Sequence, residues 1–511
     1  MIEDQQTISI IPPQPVEDDI VVIDTLRKRI GYSRLIVVTL SAMGGLIFGY
    51  NTGVISGSLP LITREKGLNT VQQGLVVCSV LLGALIGSVA GGLIANVIGR
   101  KPVILFTAIT CIGGAVSSAA VSPLGLQASL RIILGLSVGC ASAVCPLMVA
   151  EVVPENKRGR FGSVFQIFIT IGLLWGNVMG IILRASPHGW RWMWAVGAVP
   201  GFGVLVIWFL ILESPKWINE RKRKVARDKE LRLLGQKDPS PWTILREPRN
   251  RRPMAMGVIL ATFSQLTGIN AFMYFSTIIF EFAGFDQEYG PITGSTILQF
   301  WNVLTTFIAM FLVDRVGRRI LLFTGSIIMT ACDLLIAIFF VTLTGAVRGW
   351  LSIVALFTFV AAFEASIGTL FWFVINEILD DDVKNIGAPI ITGLQWLFNM
   401  LLSFLFLSAV RYIGKSTMFW VFFGIGLFCI IALAIWLPPE KGKTTMGVAD
   451  DDPNGGPEAE PSNEDEPHDD QANNEHDAGD PDNLYLEESK PDDTFTAPLQ
   501  QRKRAPVEME Q

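Results

Sequence analysis

The sequence of 511 residues is poor in charge, histidine and cysteine. Charged residues make up 17% of it, whereas hydrophobic residues make up 50%. Soluble chains carry about 25% charged residues, and a soluble chain of this length would divide into several domains. The low charge therefore excludes an ordinary soluble protein and indicates a chain that is embedded in lipid.

Groups that carry enzymatic or metal chemistry are also scarce. His188, His468 and His476 fall outside the apolar segments, so no histidine is available as a proton relay within a membrane. All six cysteines fall inside apolar segments without metal-ligand spacing, which is typical of small packing residues. The sequence has no nucleophile–base set and no phosphate-binding glycine loop. We therefore expect no enzyme, no metal or cofactor, and no nucleic-acid partner.

Long apolar runs dominate the rest of the chain. Only a helix satisfies its own backbone hydrogen bonds in lipid, and about 20 apolar residues cross a bilayer. By that criterion the sequence predicts twelve spans, at 34–58, 73–97, 102–121, 126–151, 161–184, 191–212, 254–283, 292–313, 320–344, 350–378, 388–412 and 417–437. The predicted fold class is an all-α membrane protein with twelve transmembrane helices.

The lysines and arginines predict the orientation of these spans. With both termini on the inside, 28 basic residues lie on the inner side and 7 on the outer side. Cytoplasmic loops of membrane proteins carry such an excess of positive charge. We therefore expect cytoplasmic N- and C-termini in a multi-pass protein of the plasma membrane.

A long basic loop at 216–252 divides the chain into two halves of six helices, at 34–215 and 253–444. A segment at 1–33 precedes the first half. The halves echo each other, because the glycine and two bases at 99–101 recur at 317–319, and Glu151 and Glu377 end matching spans. Two parallel halves with a site between them suit a rocking transporter.

The segment 445–511 has a different composition, with 20 acidic and 4 basic residues. Its wealth of charge, proline, asparagine and glycine predicts a disordered cytoplasmic tail, because such a segment cannot bury a core. Two interpretations stay open. The tail is either solvated and without a role in transport, or a docking platform for cytoplasmic proteins.

Several motifs resemble those of the sugar porter family of the major facilitator superfamily. The run AMGGLIFGYNTGVISG at 42–57 is similar to the first helix of that family. Further motifs follow in the family's order, at 146–151 with Pro154, 157–160, 213–217, 265–270, 314–319 and 439–444. The resemblance covers about residues 34–444. It implies a major facilitator fold and transport of a hexose-type sugar or a polyol.

Polar side chains within the apolar spans are candidate binding residues, because a buried polar group in lipid is costly without a partner. These residues are Gln166, Gln265, Asn270, Asn302, Glu364, Gln395 and Asn399. Amides supply both the donors and the acceptors that sugar hydroxyls need, and Trp372 and Trp396 offer flat apolar faces for a sugar ring. Each polar side chain could instead hydrogen-bond a neighbouring helix.

The resemblance implies a more definite set of sugar-contacting residues. They are Gln166, Gln265, Asn270, Asn302, Glu364, Gly368, Trp372 and Asn399. Ser264 stands where the family usually has a glutamine, and Phe275 where it often has a tyrosine, so we expect an altered pocket. Span ten has no proline between 350 and 388, although Ser366 and Gly368 could still permit a kink.

The resemblance also bears on proton coupling. Proton-driven members of the family carry an aspartate where this chain has Asn51, and that aspartate pairs with an arginine at the position of Arg131. An asparagine can hydrogen-bond a guanidinium but cannot titrate. We therefore expect facilitated diffusion rather than proton symport. Glu364 is interpreted as a ligand or gate residue, and Asp333 is left without a role.

Charged residues at the inner ends of the helices predict a gate that latches the two halves together. The latch would comprise Arg100, Glu151, Arg158, Arg160 and Glu213 in the first half, and Asp314, Arg318, Arg319, Glu377 and Lys384 in the second. The alternative is inner positive charge without pairing. In the family that the motifs resemble, the loop at 96–101 usually has an acid followed by a base, which this chain lacks, and an arginine usually stands at the position of Lys216. We therefore expect the weaker latch in the first half.

Three functions are compatible with the sequence. The first is a passive sugar carrier working by alternating access, the second a proton-coupled sugar or polyol symporter, and the third a nutrient sensor that transports nothing. Uptake under a pH gradient separates the first two, and deletion of the acidic tail separates a carrier from a sensor.

Overall fold

A computed structural model describes residues 34–153, 158–233, 241–274, 280 and 290–436. Several predicted features lie outside these residues. They are the segment 1–33, Pro154, Lys157, Phe275, the motif at 439–444 and the acidic tail 445–511. The side chains of Arg158, Arg160 and Asp314 are also outside the described part.

The described residues form helices joined by short connections. The first half comprises α1 (Arg34–Lys66), α2 (Thr70–Ile98), α3 (Arg100–Ala120), α4 (Leu124–Val152), α5 (Arg158–Ile182), α6 (Gly189–Val196) and α7 (Val199–Leu210). Two helices follow in the basic loop, α8 (Pro215–Leu233) and α9 (Pro241–Arg246). The second half comprises α10 (Pro248–Leu266), α11 (Ile269–Tyr274), α12 (Gly290–Val316), α13 (Arg318–Thr342), α14 (Gly345–Phe363), a π-helical turn (Glu364–Gly368), α15 (Thr369–Ile378), α16 (Asp381–Ile413) and α17 (Lys415–Trp436).

Twelve helical segments of the described chain are long and apolar enough to cross a membrane, which confirms the predicted number of spans and the fold class. The predicted bounds are less accurate. Helix α1 runs to Lys66 rather than to 58, and α16 begins at Asp381 rather than at 388. Helices extend beyond their apolar parts because polar residues continue the backbone hydrogen bonding in the interfacial region.

Three of the spans are broken rather than continuous. The sixth divides at Gly197 between α6 and α7, and the seventh divides at Gly268 between α10 and α11. The tenth contains the π-helical turn, in which Ser366 has non-helical backbone angles (φ −124°, ψ −106°). Span ten therefore bends without a proline, at one of the residues that the sequence indicated.

Glycines bring α1 and α5 into close contact along most of their length. A Cβ atom on Gly53 would lie 2.7 Å from the Cα of Leu173, and one on Gly176 would lie 2.6 Å from the backbone nitrogen of Val54. Lipid gives no hydrophobic reason for two helices to associate, so close packing of small residues has to hold them. These glycines therefore fix α1 against α5 in the first half.

The two halves meet along two seams. Helix α2 packs against α16, and α5 packs against α12. Within the halves, α2 and α3 pack on α4, and α14 and α17 pack on α13. Helices α1, α5, α12 and α15 and the π-helical turn consequently surround the middle of the bundle, where the candidate site lies.

Candidate functional site

A cavity of about 50 Å³ lies between the two halves. Seven of the eight residues predicted from the family resemblance line it. They are Gln166, Gln265, Asn270, Asn302, Glu364, Gly368 and Trp372. The first half contributes α5 together with Phe48 and Thr52 of α1, whereas the second half contributes most of the polar groups.

The break in span seven brings two amides to the cavity. Gly268 has a φ of +99°, which favours glycine, and a Cβ there would lie 2.8 Å from the ring of Phe422. Across this break the side-chain amide of Asn270 donates to the side-chain carbonyl of Gln265. The amide of Gln265 donates to the hydroxyl of Ser264 at 3.3 Å. The serine that departs from the family pattern thus supports Gln265.

A chain of hydrogen bonds crosses from one half to the other at the cavity wall. The Nε2 group of Gln166 donates to Oε1 and to Oε2 of Glu364, at 3.1 Å each. The indole Nε1 of Trp372 donates to Oε1 of Gln166 at 3.1 Å. All three side chains are buried. Their polar atoms hold one another in this state, and a polyhydroxylated solute can replace those bonds with its own hydroxyls.

Aromatic rings surround the indole of Trp372. The ring of Phe165 lies 5.2 Å from it and the ring of Phe48 lies 6.2 Å from it, both in edge-on geometry. Phe48 also lies 4.7 Å from Trp396, whose Nε1 donates to the hydroxyl of Ser142 at 3.1 Å. Trp396 therefore joins the halves beside the cavity, whereas Trp372 borders the cavity itself.

Asn399 is the predicted contact residue that does not line the cavity. It is buried, and its Oδ1 accepts from the hydroxyl of Ser403 at 3.2 Å. Gln395, one turn earlier on α16, lines the cavity instead, and its Oε1 has no hydrogen-bond partner among the described residues. The sequence singled out Gln395 as polar within an apolar span, but the family resemblance passed over it.

Asn302 is on the cavity wall with one side-chain atom unused. Its Nδ2 lies 3.8 Å from the sulfur of Met273, while its Oδ1 has no partner in the described part of the chain. A buried carbonyl without a donor is unfavourable. The free Oδ1 is consequently available to a hydroxyl group.

Ion pairs lie at one end of the bundle, which we call the basic end and define by Arg100, Glu151, Arg318 and Glu377. Arg100 forms two bonds to Glu151, from Nη2 to Oε1 at 2.6 Å and from Nε to Oε2 at 3.1 Å. Only 1% of the Arg100 side chain is exposed. In the second half, Arg318 pairs with Glu377, whose side chains are 36% and 40% exposed.

Glu213 completes the first-half cluster by capping α3. Its Oε1 accepts from the backbone nitrogen of Arg100 at 2.8 Å, and its Oε2 accepts from that of Lys101 at 3.0 Å. A carboxylate stabilises the positive end of a helix dipole. The Arg100–Glu151 pair of the first half is thus buried, bidentate and reinforced by this cap, whereas the expectation of a weaker first-half latch stays a prediction.

The remaining charged residues of the predicted latch are spread along the same end. Lys384 and Glu377 border a vestibule of about 150 Å³ together with Glu151 and Lys216. Trp372 borders this vestibule as well as the central cavity, so its indole separates the two spaces. Arg319 lies 6.0 Å from the ring of Phe323.

The opposite end of the cavity is closed by a set of hydrogen bonds that the sequence did not reveal. Oδ1 of Asn177 on α5 accepts from the hydroxyl of Ser56 on α1 at 2.9 Å and from that of Ser295 on α12 at 2.7 Å. We call these three buried residues the serine clasp. Beyond the clasp, Gly57 and Gly180 bring α1 and α5 together. The clasp joins the halves on the side away from the vestibule.

Asn51 and Arg131 are not hydrogen-bonded to each other in the described structure. The amide of Asn51 donates to the carbonyl oxygens of Ile47 at 2.9 Å and of Gly197 at 3.4 Å. The guanidinium of Arg131 lies 4.3 Å from the ring of Trp194, and its Nε and Nη2 have no hydrogen-bond partner among the described residues. A buried cation over an indole is stabilised by the ring quadrupole.

Comparison with known proteins identifies the family of the chain. Residues 37–451 match the protein family described as "Sugar (and other) transporter". The chain is 33% identical over 429 residues to the galactose-proton symporter of Escherichia coli strain K12, covering 80% of this chain and 92% of the symporter. It is also 33% identical over 428 residues to the glucose transporter GlcP of Staphylococcus epidermidis, covering 81% of this chain and 96% of GlcP.

A solved structure supports the fold. The chain resembles the xylose transporter XylE from E. coli in a partially occluded inward-open conformation, with a TM-score of 0.65 and 24% identity, over 80% of this chain and 99% of XylE. These relatives are named as transporters and symporters, so the chain is a transporter rather than an enzyme. The family match over most of the sequence and the twelve-helix fold together show that the chain belongs to the sugar porter family of the major facilitator superfamily.

Proposed function

We propose that this transporter carries a hexose-type sugar such as glucose across the plasma membrane by facilitated diffusion. The observation that carries the proposal is the bonded set of Gln166, Glu364 and Trp372, in which buried donors and acceptors from both halves meet at one cavity. A sugar hydroxyl both donates and accepts, so it can exchange with each of these bonds. The indole of Trp372 supplies an apolar face for the C–H side of the ring.

The two closures of the cavity support alternating access. The serine clasp closes one end, while the vestibule and the ion pairs lie at the basic end. We assign the basic end to the cytoplasm, because 28 basic residues fall on that side and 7 on the other. Rocking the halves would open the clasp and draw Arg100, Glu151, Arg318 and Glu377 into contacts between the halves.

The chemistry of residue 51 supports uniport rather than symport. An asparagine amide carries no proton that can be released in the physiological range, and here it bonds to backbone carbonyls of Ile47 and Gly197. The guanidinium of Arg131 contacts the ring of Trp194, and no carboxylate pairs with it among the described residues. A change in pH therefore has no ion pair to break at this position.

Proton symport is the second candidate function, and two observations favour it. One relative is named a galactose-proton symporter. In addition, the buried carboxylate of Asp333 on α13 has no hydrogen-bond partner for either oxygen among the described residues. An unpaired carboxyl in a membrane span is a candidate proton site.

Uptake of labelled glucose into proteoliposomes tests the proposal. With an imposed pH gradient, uniport predicts that the internal sugar concentration rises only to the external one, whereas accumulation above it would establish symport. A panel of hexoses, pentoses and inositol, offered as competitors, identifies the solute. Triple replacement of Gln265, Asn270 and Trp372 by alanine is expected to abolish flux, and unchanged flux would refute the assigned cavity.

A further inference from the structure

Helix α12 has two distinct faces. The large side chains exposed on it lie toward lipid, and they are Ile297, Phe300, Leu304, Phe307, Ile308 and Phe311. Four of the five buried polar side chains of α12 lie on the opposite face, namely Ser295, Gln299, Asn302 and Thr306. At 3.6 residues per turn these four fall within an arc of about 60°. The polar face therefore forms one continuous strip toward the interior of the bundle.

Contacts within the structure account for three residues of this strip. Ser295 donates to Asn177 in the serine clasp, and Asn302 lines the cavity. The hydroxyl of Thr306 donates to the backbone carbonyl of Asn302 at 2.7 Å. Gln299 is the member of the strip that these contacts leave unexplained.

The side chain of Gln299 is fully buried, with 0% exposure, and neither its Nε2 nor its Oε1 has a hydrogen-bond partner among the described residues. A buried amide with both ends unpaired is unfavourable and rare in folded proteins. Gln127, another buried glutamine, shows the usual arrangement, since it accepts from Lys66 at 2.6 Å and donates to the carbonyl of Val121 at 2.8 Å. Gln299 is thus not explained by bonding between helices.

The position of Gln299 along the axis of α12 indicates which groups its amide can contact. Each residue advances the helix by about 1.5 Å, so Gln299 lies about 4.5 Å from Asn302 and about 6 Å from Ser295 along the axis. It therefore occupies the level between the cavity and the serine clasp. When the clasp opens, the part of the strip between Asn302 and Ser295 forms the wall of the path that leads from the clasp side to the cavity.

We propose that Gln299 is a sugar-binding residue that extends the site one helical turn beyond Asn302 toward the serine clasp. The inference rests on the proposed function, because the ligand is the hexose assigned there. The amide of Gln299 donates to and accepts from one hydroxyl group that the residues of the central cavity do not reach. It thereby contributes to the choice among sugars that differ at that hydroxyl.

The test uses the full-length protein in detergent or proteoliposomes and equilibrium binding of glucose and its singly deoxygenated analogues. In Gln299→Met, a side chain of similar length without polar atoms, we expect glucose to bind about tenfold more weakly. The same variant should no longer distinguish glucose from one of the deoxy sugars, while discrimination at the other hydroxyls stays as in the wild type. Its thermal midpoint without sugar should not fall, because the replaced amide has no partner to lose.

Gln127→Met is the matched control, because it removes a buried glutamine that is fully bonded and distant from the cavity. It should lower the thermal midpoint and leave sugar binding unchanged. Wild-type dissociation constants and a wild-type deoxy-sugar profile in Gln299→Met would overturn the inference while leaving the proposed function intact. If the wild type bound none of the hexoses, the proposed function itself would fail, and the inference with it.

Discussion

The Nε2 group of Gln166 donates to both carboxylate oxygens of Glu364, at 3.1 Å each, and this contact spans the boundary between the two halves. The distance between α5 and the π-helical turn therefore decides whether this amide can keep both bonds. Because Oε1 of the same glutamine accepts from Trp372, movement of one partner alters the others. Binding of a solute at this point is consequently linked to the position of the halves.

Replacing Glu364 tests that link. Glu364→Ala removes the carboxylate that would accept from a sugar hydroxyl in the proposed complex, and a lost hydrogen bond to a charged group costs about 1.5–3 kcal/mol. We expect sugar affinity to fall at least tenfold in this variant, as measured by equilibrium binding. Glu364→Gln keeps an oxygen acceptor and should lose less than the alanine variant. Equal affinities in the wild type and Glu364→Ala would contradict the role of this pair.

Introducing a titratable group at residue 51 should create pH dependence. In Asn51→Asp the new carboxylate can pair with Arg131, whose Nε and Nη2 have no hydrogen-bond partner among the described residues. The pair holds at high pH and breaks as the carboxylate is protonated, so uptake should increase as the external pH falls. Asn51→Ser, which does not titrate, serves as the control and should follow the pH profile of the wild type. An identical profile in Asn51→Asp argues against a contact between these two positions.

Gly99 should be intolerant of any side chain. Its φ is +104°, and a Cβ there would collide with the Glu213 carboxylate that caps α3. Gly99→Ala is therefore expected to destabilise the protein by about 2 kcal/mol, visible as a lower thermal midpoint. Gly113, within α3, has nothing within 4 Å of its added Cβ. Gly113→Ala should leave the midpoint unchanged or raise it, and equal losses in both variants would exclude the capping explanation.

Breaking the serine clasp should favour the state in which the cavity is open on the side of the clasp, away from the vestibule. Asn177→Ala removes the hydrogen bond to Ser295, which is the clasp contact between the halves and contributes about 1 kcal/mol, so the equilibrium should shift roughly fivefold. A cysteine at Leu173, which lines the cavity, would then react faster with an impermeant thiol reagent added from that side. Thr170→Ala on the same helix removes a hydroxyl whose hydrogen-bond partner among the described residues is the carbonyl of Ile167, and it should leave the labelling rate unaltered. No acceleration in Asn177→Ala would show that the clasp does not control access.

Deletion of residues 445–511 distinguishes a carrier from a sensor. The segment carries 20 acidic residues and lies outside the described structure, so no contact described here depends on it. We expect the truncated protein to take up sugar at the wild-type rate per molecule in proteoliposomes. Loss of a cellular response together with an absence of uptake by the full-length protein would instead identify a sensor.

Much of the fold could be predicted from the sequence because lipid imposes a simple rule on the backbone. Twelve apolar runs formed twelve membrane-spanning segments, because a helix satisfies its own backbone hydrogen bonds in lipid. The breaks were harder to predict. The bend at Ser366 depends on Gly325 of the neighbouring helix, where a Cβ would collide with the serine side chain. The sequence indicated Ser366 as a possible kink, but the contact with α13 leaves no pattern in span ten itself.

The site could be predicted in part. The family motifs identified seven residues of the cavity wall, but Asn399 and Gln395, one turn apart on α16, exchanged places. A helix within a bundle is apolar on most sides, so its sequence does not reveal which amide faces the cavity. Gln299 and Asn177 met the same criterion of polarity within an apolar span, but they match no family motif and were missed.

The glycine contact between α1 and α5 has a mechanical consequence. Backbones that touch along their length cannot slide or tilt independently, so the first half is expected to behave as a stiff frame. The second half has two breaks, at Gly268 and Ser366, against one at Gly197 in the first half, and both lie beside the side chains proposed to bind the sugar. Deformation during the transport cycle should therefore concentrate in the second half, next to the proposed sugar site, where binding of the sugar can influence it directly.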